Sequence, residues 1–365
     1  MKKSIQAILM FLLVFTGCTI IDNVDENGIL WEYYTPSPIA RGVETMPTEN
    51  LLLFADEGNT LYAIDAGSGL LRWKIAPPLT LTTILPIDST LYVIGYSNTG
   101  LQGSVIMSID TLNGSLSKVE SFPFKPLPNA SLKTANGFLV YSSSQVAFLS
   151  NNGKVGLVVS PANNILAIEE WSSSYYIVSR ESDNSTKLSK YDSSFSFQGS
   201  TTYADNPTGR LLFWNTRLYV GTDNKLLTSD SSPSLSVFKN FPVKAAMAKS
   251  ISYLYVPSAA TANGSVRAYD TTGNEAWYAL TYAAISYAPL MYNSSYNVVF
   301  ALDDNGNLAV YDAQTGAALF TRYIASIQKP NLKLPMDLYQ NYIFIPFSSP
   351  SKLVCFSLRY AASSR

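Results

Sequence analysis

The residues able to do chemistry are few, and they are spaced for structure. The 365-residue chain contains no histidine. That removes Ser-His-Asp and Cys-His nucleophile systems, His-ligated zinc and the two-histidine iron triad in one step. No Gly-x-x-x-x-Gly-Lys-Ser/Thr phosphate loop is present. Glu169 and Glu170 are consecutive in a run, 165–170, that reads as a strand, so their side chains point to opposite faces and cannot act together on one substrate. Asp303 and Asp304 open the phrase DDNGN, where a hairpin turn is the expected role, since the remaining ligands of a calcium loop are missing. Asp65, Asp110, Asp270 and Asp312 recur once per repeat at the opening of a turn. No catalytic residue, no metal ligand and no cofactor is therefore expected, and the chain reads as a non-enzyme.

The two cysteines differ in setting. Lys2 and Lys3 precede an apolar run, 8–15, and then Phe15-Thr16-Gly17-Cys18. A basic start, a short apolar stretch and small residues before a cysteine resemble a bacterial lipoprotein signal. Residues 1–17 are expected to be removed, Cys18 to be lipidated and 18–24 to form a tether, with Phe15 departing from the usual leucine. Each buried methylene of an acyl chain contributes about 0.8 kcal/mol, so a multiply acylated Cys18 would hold the protein at a membrane without a spanning helix. Thr19 stands where enteric bacteria place the Asp of inner-membrane retention, which points to the outer membrane, facing the periplasm. Cys355, in LVCF, reads as a small buried hydrophobe.

Hydrophobic residues make up 47% of the chain and charged ones 14%, ample for a core and far from a disordered composition. Without residues 1–17 the balance is 23 basic against 26 acidic residues, with no basic stripe, so nucleic acid is not an expected partner.

Those residues must be positioned by strands. Short β-branched and aromatic runs alternate with Gly, Asn, Asp and Ser clusters, and one phrase returns: an apolar strand ending in Asp, a Gly-containing turn, then a strand with an aromatic. LYAIDAGSGLLRW (61–73), VRAYDTTGNEAW (266–277) and LAVYDAQTGAALF (308–320) are the clearest copies. Aligning the turn-opening residue gives Asp65, Asp110, Ser150, Asp192, Asp230, Asp270, Asp312 and Ser357, spaced by 38 to 45 residues. That is the length of a four-stranded propeller blade. The last unit runs out after three strands, while DENGILWEY at 25–33 carries an orphan copy of the missing fourth. An all-β, eight-bladed β-propeller of antiparallel four-stranded blades is expected over 25–365, with 29–34 pairing beside 353–358 to close the ring. A ring closed on itself needs no second copy, so a monomer is expected. Trp31, Trp73 and Trp277 are expected to pack between blades.

The phrase at 61–73, echoed at 266–277 and 308–320, resembles the PQQ-type, quinoprotein-like propeller repeat. An eight-bladed ring of this repeat behind a lipobox is similar to the BamB family, the lipoprotein subunits of the machinery that inserts β-barrel proteins into the bacterial outer membrane. The resemblance implies a non-catalytic, lipid-anchored scaffold that docks on the barrel-assembly protein. This chain departs from the repeat consensus at Ser150 and Ser357, and in having no Trp at the matching place in blades 2 to 5. Two other readings are an envelope binding module for glycan, peptide or small ligand, and a relative of the PQQ-dependent dehydrogenases. Those enzymes are longer and carry a vicinal cysteine pair that one body cysteine cannot form.

Function on propellers sits on loops at the channel mouth, here 122–129, 203–210, 258–264 and 324–333. Arg210 and Leu211 follow one of these, and Glu169 and Glu170 lie nearby; a mixed-charge, partly apolar patch of these four is expected to bind a protein partner.

Overall fold

The computed structural model describes residues 28–87, 89–97, 103–134, 136–259, 264–324, 329–330, 336–349 and 351–357. The proposed signal, Cys18 and the tether lie outside the described residues.

Almost every strand follows from the period-2 runs, and within each of the first seven blades a strand pairs with the next along the chain. Eight antiparallel sheets result, seven of four strands and one that combines the two ends of the chain. Blades 1 to 7 begin at inner strands Ile39–Met46, Thr80–Ile87, Ser131–Thr134, Ile165–Trp171, Pro207–Trp214, Ala248–Lys249 and Met291–Asn293, and each runs outward through three more. Blade 8 takes its inner strand in two pieces, Lys329–Pro330 and Asp337–Tyr339, both paired with Tyr342–Ser349. Ser351–Ser357 follows, and the N-terminal strand Ile29–Tyr34 lies outermost, with Trp31 opposite Cys355. This is the expected closure.

The core is not a single mass. Buried apolar residues form eight clusters, each shared by two successive blades. Strand Leu51–Asp56 shows how. Leu51, Leu53 and Ala55 pack toward blade 2, while Leu52 and Phe54 pack toward blade 8. Alternation along a strand therefore divides its side chains between two joints, and both faces are apolar because both are covered. No blade could bury its two faces alone.

The joints share a fastening. The residue opposite the position two before each turn-opening Asp or Ser is Trp73 in blade 1, Trp277 in blade 6 and Trp31 in blade 8. Each donates its indole N–H to the turn of the following blade: Trp31 to the Ala66 carbonyl at 3.3 Å, Trp73 to Thr111 at 2.7 Å and Trp277 to Ala313 at 3.0 Å. The turn glycine beneath the ring has positive φ, +69° at Gly69 and +71° at Gly316. A Cβ there would lie 2.6 and 2.5 Å from the indole, so glycine is required both by conformation and by space.

At the same seat blades 2 to 5 carry Ser117, Leu157, Gly199 and Ser236. Other rings substitute at three of those joints. Tyr92, from the second strand of blade 2, covers Gly153, and Phe238 covers Gly273. Tyr176, from the second strand of blade 4, donates its hydroxyl to the Ser231 carbonyl at 3.0 Å.

Candidate functional site

The recurrent aspartates serve their own turns. Asp65 accepts from the Ser68 amide and hydroxyl, both at 2.9 Å, and Asp312 from the amides of Gln314 and Thr315. Hydrogen bonds from Ser194 and the Ser196 amide hold the Asp192 carboxyl below its ordinary range, and Thr272 with the Asn274 amide does the same for Asp270. Asp303, 1% exposed, accepts from the amides of Ala283, Asn305 and Asn307, so its oxygens are committed to backbone. Among the described residues, no three Asp, Glu, Cys or His side chains converge as metal ligands would. Burial pushes the Cys355 thiol up, away from the reactive thiolate.

The four residues of the expected patch fall on the inner strands of blades 4 and 5, but they do not converge. Glu169 faces blade 5, where its Oε1 accepts the Phe213 amide at 3.4 Å. Burial raises its pKa, and the nearby Lys249 opposes the rise. Glu170 lies toward Tyr175, on the opposite side of the strand, as period 2 requires. Arg210 donates from Nε to the Lys244 carbonyl at 2.9 Å. Its nearest titratable partner is Tyr141, which burial pushes up to about 12 against the pull of the guanidinium. Leu211 packs against the apolar cluster between blades 4 and 5 that holds Tyr176, Val178 and Val220. A leucine on an inner strand is drawn to a joint, so it supports the surface from beneath. No ion pair joins Arg210 to Glu169 or Glu170 among the described residues.

Two groupings had no signal in the sequence. Trp171 is stacked between Tyr176 and Phe213, at ring distances of 5.6 and 4.6 Å, and Lys249 donates to the Phe213 carbonyl at 2.7 Å. This aromatic stack, flanked by Glu169 and Lys249, spans inner strands of successive blades. Glu44 and Asp337 meet across the closing joint between blades 8 and 1. Burial first, then the Asp337 charge, pushes the Glu44 carboxyl from 4.5 up to about 8. Two residues so far apart in the chain are brought together only by closure.

The Glu44 shift fixes a pH dependence. Its folded pKa lies above its unfolded one, so the folded state holds an extra proton between pH 4.5 and about 8. Its contribution to stability is most favourable below pH 4.5, declines as pH rises through that window and levels off above it. Glu44→Gln is expected to raise the urea midpoint at pH 8.5 and to leave it unchanged at pH 4; equal midpoints for the two proteins at pH 8.5 would contradict this.

No protein-family profile matches the chain, and no curated protein matches it. Solved structures do. BamB from Moraxella catarrhalis aligns with a TM-score of 0.59 at 11% identity, over 90% of this chain and 97% of that one. The chain resembles BamB in fold. A quinohemoprotein alcohol dehydrogenase from Pseudomonas putida HK5 aligns with a TM-score of 0.65 at 10% identity, over 93% of this chain and 77% of that one. A computationally designed protein aligns with a TM-score of 0.64 at 12% identity, over 89% and 97%. The eight-bladed propeller architecture is thus shared with BamB and a dehydrogenase alike, so the fold by itself does not choose between scaffold and enzyme.

Proposed function

We propose that this chain is a non-catalytic protein-binding propeller, anchored by lipid on Cys18 at the outer membrane and facing the periplasm, which acts as BamB-family proteins do in outer-membrane protein assembly. The observation that carries the reading is the closing strand. Ile29–Tyr34 belongs to blade 8, so ring and anchor are separated by only the few residues after Cys18. Anchoring and folding then use the same end of the chain. The carboxylates that recur in the sequence are spent on turns, which favours a scaffold over an enzyme. The BamB chain is matched over 97% of its length, whereas the dehydrogenase extends well beyond its 77% match.

Within this reading Arg210 and Glu170 supply charge at the inner strands of blades 4 and 5, with Leu211 and Glu169 holding the surface they stand on. Affinity capture of the full chain from detergent-solubilised envelope is expected to bring down a large β-barrel protein. Arg210→Glu is expected to reduce that capture at least fivefold. Capture of no barrel protein, together with thermal stabilisation by a small ligand, would overturn the scaffold reading in favour of an envelope binding module. Cys18→Ala is expected to release the protein from the membrane fraction.

A further inference from the structure

The joint between blades 3 and 4 is fastened differently from its neighbours. Its seat carries Leu157, 37% exposed, in place of a docking ring. In the receiving turn of blade 4, Phe195 occupies the place that glycine takes elsewhere, at a φ of +60°. The Phe195 ring turns inward and stacks on Tyr175 with centroids 4.6 Å apart. The joint is thereby filled from the receiving side, and the outer part between the blades is left open.

A cavity of about 740 Å³ lies there, between 159–164 of blade 3 and the second to fourth strands of blade 4. Its wall is fixed, because the Tyr191 hydroxyl donates to the Pro161 carbonyl at 2.5 Å across the joint. The volume is that of a site for a small ligand or a few linked rings. Phe197, in the lining, is 59% exposed and contacts Tyr191 edge-on at 5.6 Å. The same lining holds Asn163, Asn164, Ser160 and Ser182, while the Arg180 guanidinium turns away to donate to the Pro207 carbonyl of blade 5 at 3.3 Å. Lys187 is already paired with Glu181 at 3.5 Å, so the lining carries little net charge.

We propose that this cleft binds a segment of an oligosaccharide. A sugar ring has apolar C–H faces and a rim of hydroxyls that both donate and accept, which matches the exposed Phe197 ring set among amide and hydroxyl side chains. A protein hot spot centres on a broad apolar core, whereas most residues of this lining are polar. Nucleic acid requires several unpaired cations, where the lysine of this cleft, Lys187, is already paired with Glu181. The inference goes beyond the scaffold reading and does not depend on it.

The test is a printed array of defined glycans, neutral and uronate-bearing, probed with the full chain and with Phe197→Ala. Phe197 is on the surface, so the variant is expected to keep the melting temperature of the parent. The expected result is binding to at least one glycan class that falls at least tenfold in Phe197→Ala and in Asn163→Ala. Absence of glycan binding, or binding undiminished by Phe197→Ala, would overturn the proposal. Capture of the barrel protein by Phe197→Ala is expected to stay at the parental level; its loss would assign the cleft to a protein interface and likewise overturn the glycan assignment.

Discussion

Trp277→Ala is expected to destabilise the protein by about 3–5 kcal/mol, the range for removing a large buried aromatic from a core. The indole is 8% exposed, lies in the cluster between blades 6 and 7, and donates to the Ala313 carbonyl. Its removal opens a void and leaves that carbonyl to the Tyr255 hydroxyl, which donates to it at 3.2 Å. Gly316→Ala tests the same contact from the other side while deleting nothing. The new methyl would meet the ring at 2.5 Å on a residue with φ of +71°, so a loss of about 2 kcal/mol or more is expected from strain and displacement combined. The two losses should not add, because the second change displaces the ring that the first removes. Leu157→Ala, at the equivalent seat of blade 3, is expected to cost under about 1 kcal/mol, since that side chain is largely exposed. Urea midpoints of the four proteins decide the matter; a Trp277→Ala midpoint no lower than that of Leu157→Ala would show that the indole does not fasten the ring.

The second large effect belongs to the closing strand. Lys352 has a side chain 4% exposed and pairs with Glu32 of the N-terminal strand, 28% exposed. The rings of Tyr34 and Phe347 flank the ammonium at 5.4 and 5.7 Å. Glu32→Ala leaves that cation buried without its counter-ion. The expected cost is about 2–4 kcal/mol, between the values for exposed and fully buried pairs because Glu32 is partly hydrated. Lys352→Met in the same chain is expected to restore most of the loss, since a long apolar side chain fills the slot without needing a charge. Hydrogen exchange of Ile29–Tyr34 should accelerate in Glu32→Ala alone. Equal midpoints for parent and Glu32→Ala would show that the pair does not hold the closing strand.

The turn phrase made the architecture legible because it is a local chemical necessity. An aspartate that binds its own backbone, a glycine at positive φ, or both recur wherever the third strand turns into the fourth, whatever the rest of the blade does. Trp31, at the far end of the chain from Ser357, could be placed for the same reason. What sits at each joint was less legible. Tyr92 and Tyr176 take over from missing tryptophans, yet both lie on second strands buried on both faces, where period 2 does not tell which neighbour a side chain reaches. Leu211, expected in a partner-binding patch, is partly buried against the cluster between blades 4 and 5. Glu44 and Asp337 could not be paired in advance, since nothing in either local sequence refers to the other. The cavity beside Phe195 is likewise lined from two successive blades, an adjacency that no local stretch of sequence announces.

The amide of Ser357 donates to the carbonyl of Gly28 at 2.9 Å, which places the first and last described residues at bonding distance. A ring whose first and last described strands meet in this way has no privileged origin. Splicing them with a short linker and cutting any other outer hairpin would give a permuted gene encoding the same wheel, with its leash moved to a different spoke. The orientation of the disc above a bilayer would then become an adjustable variable, and which rim faces a neighbour could be set by the position of the cut.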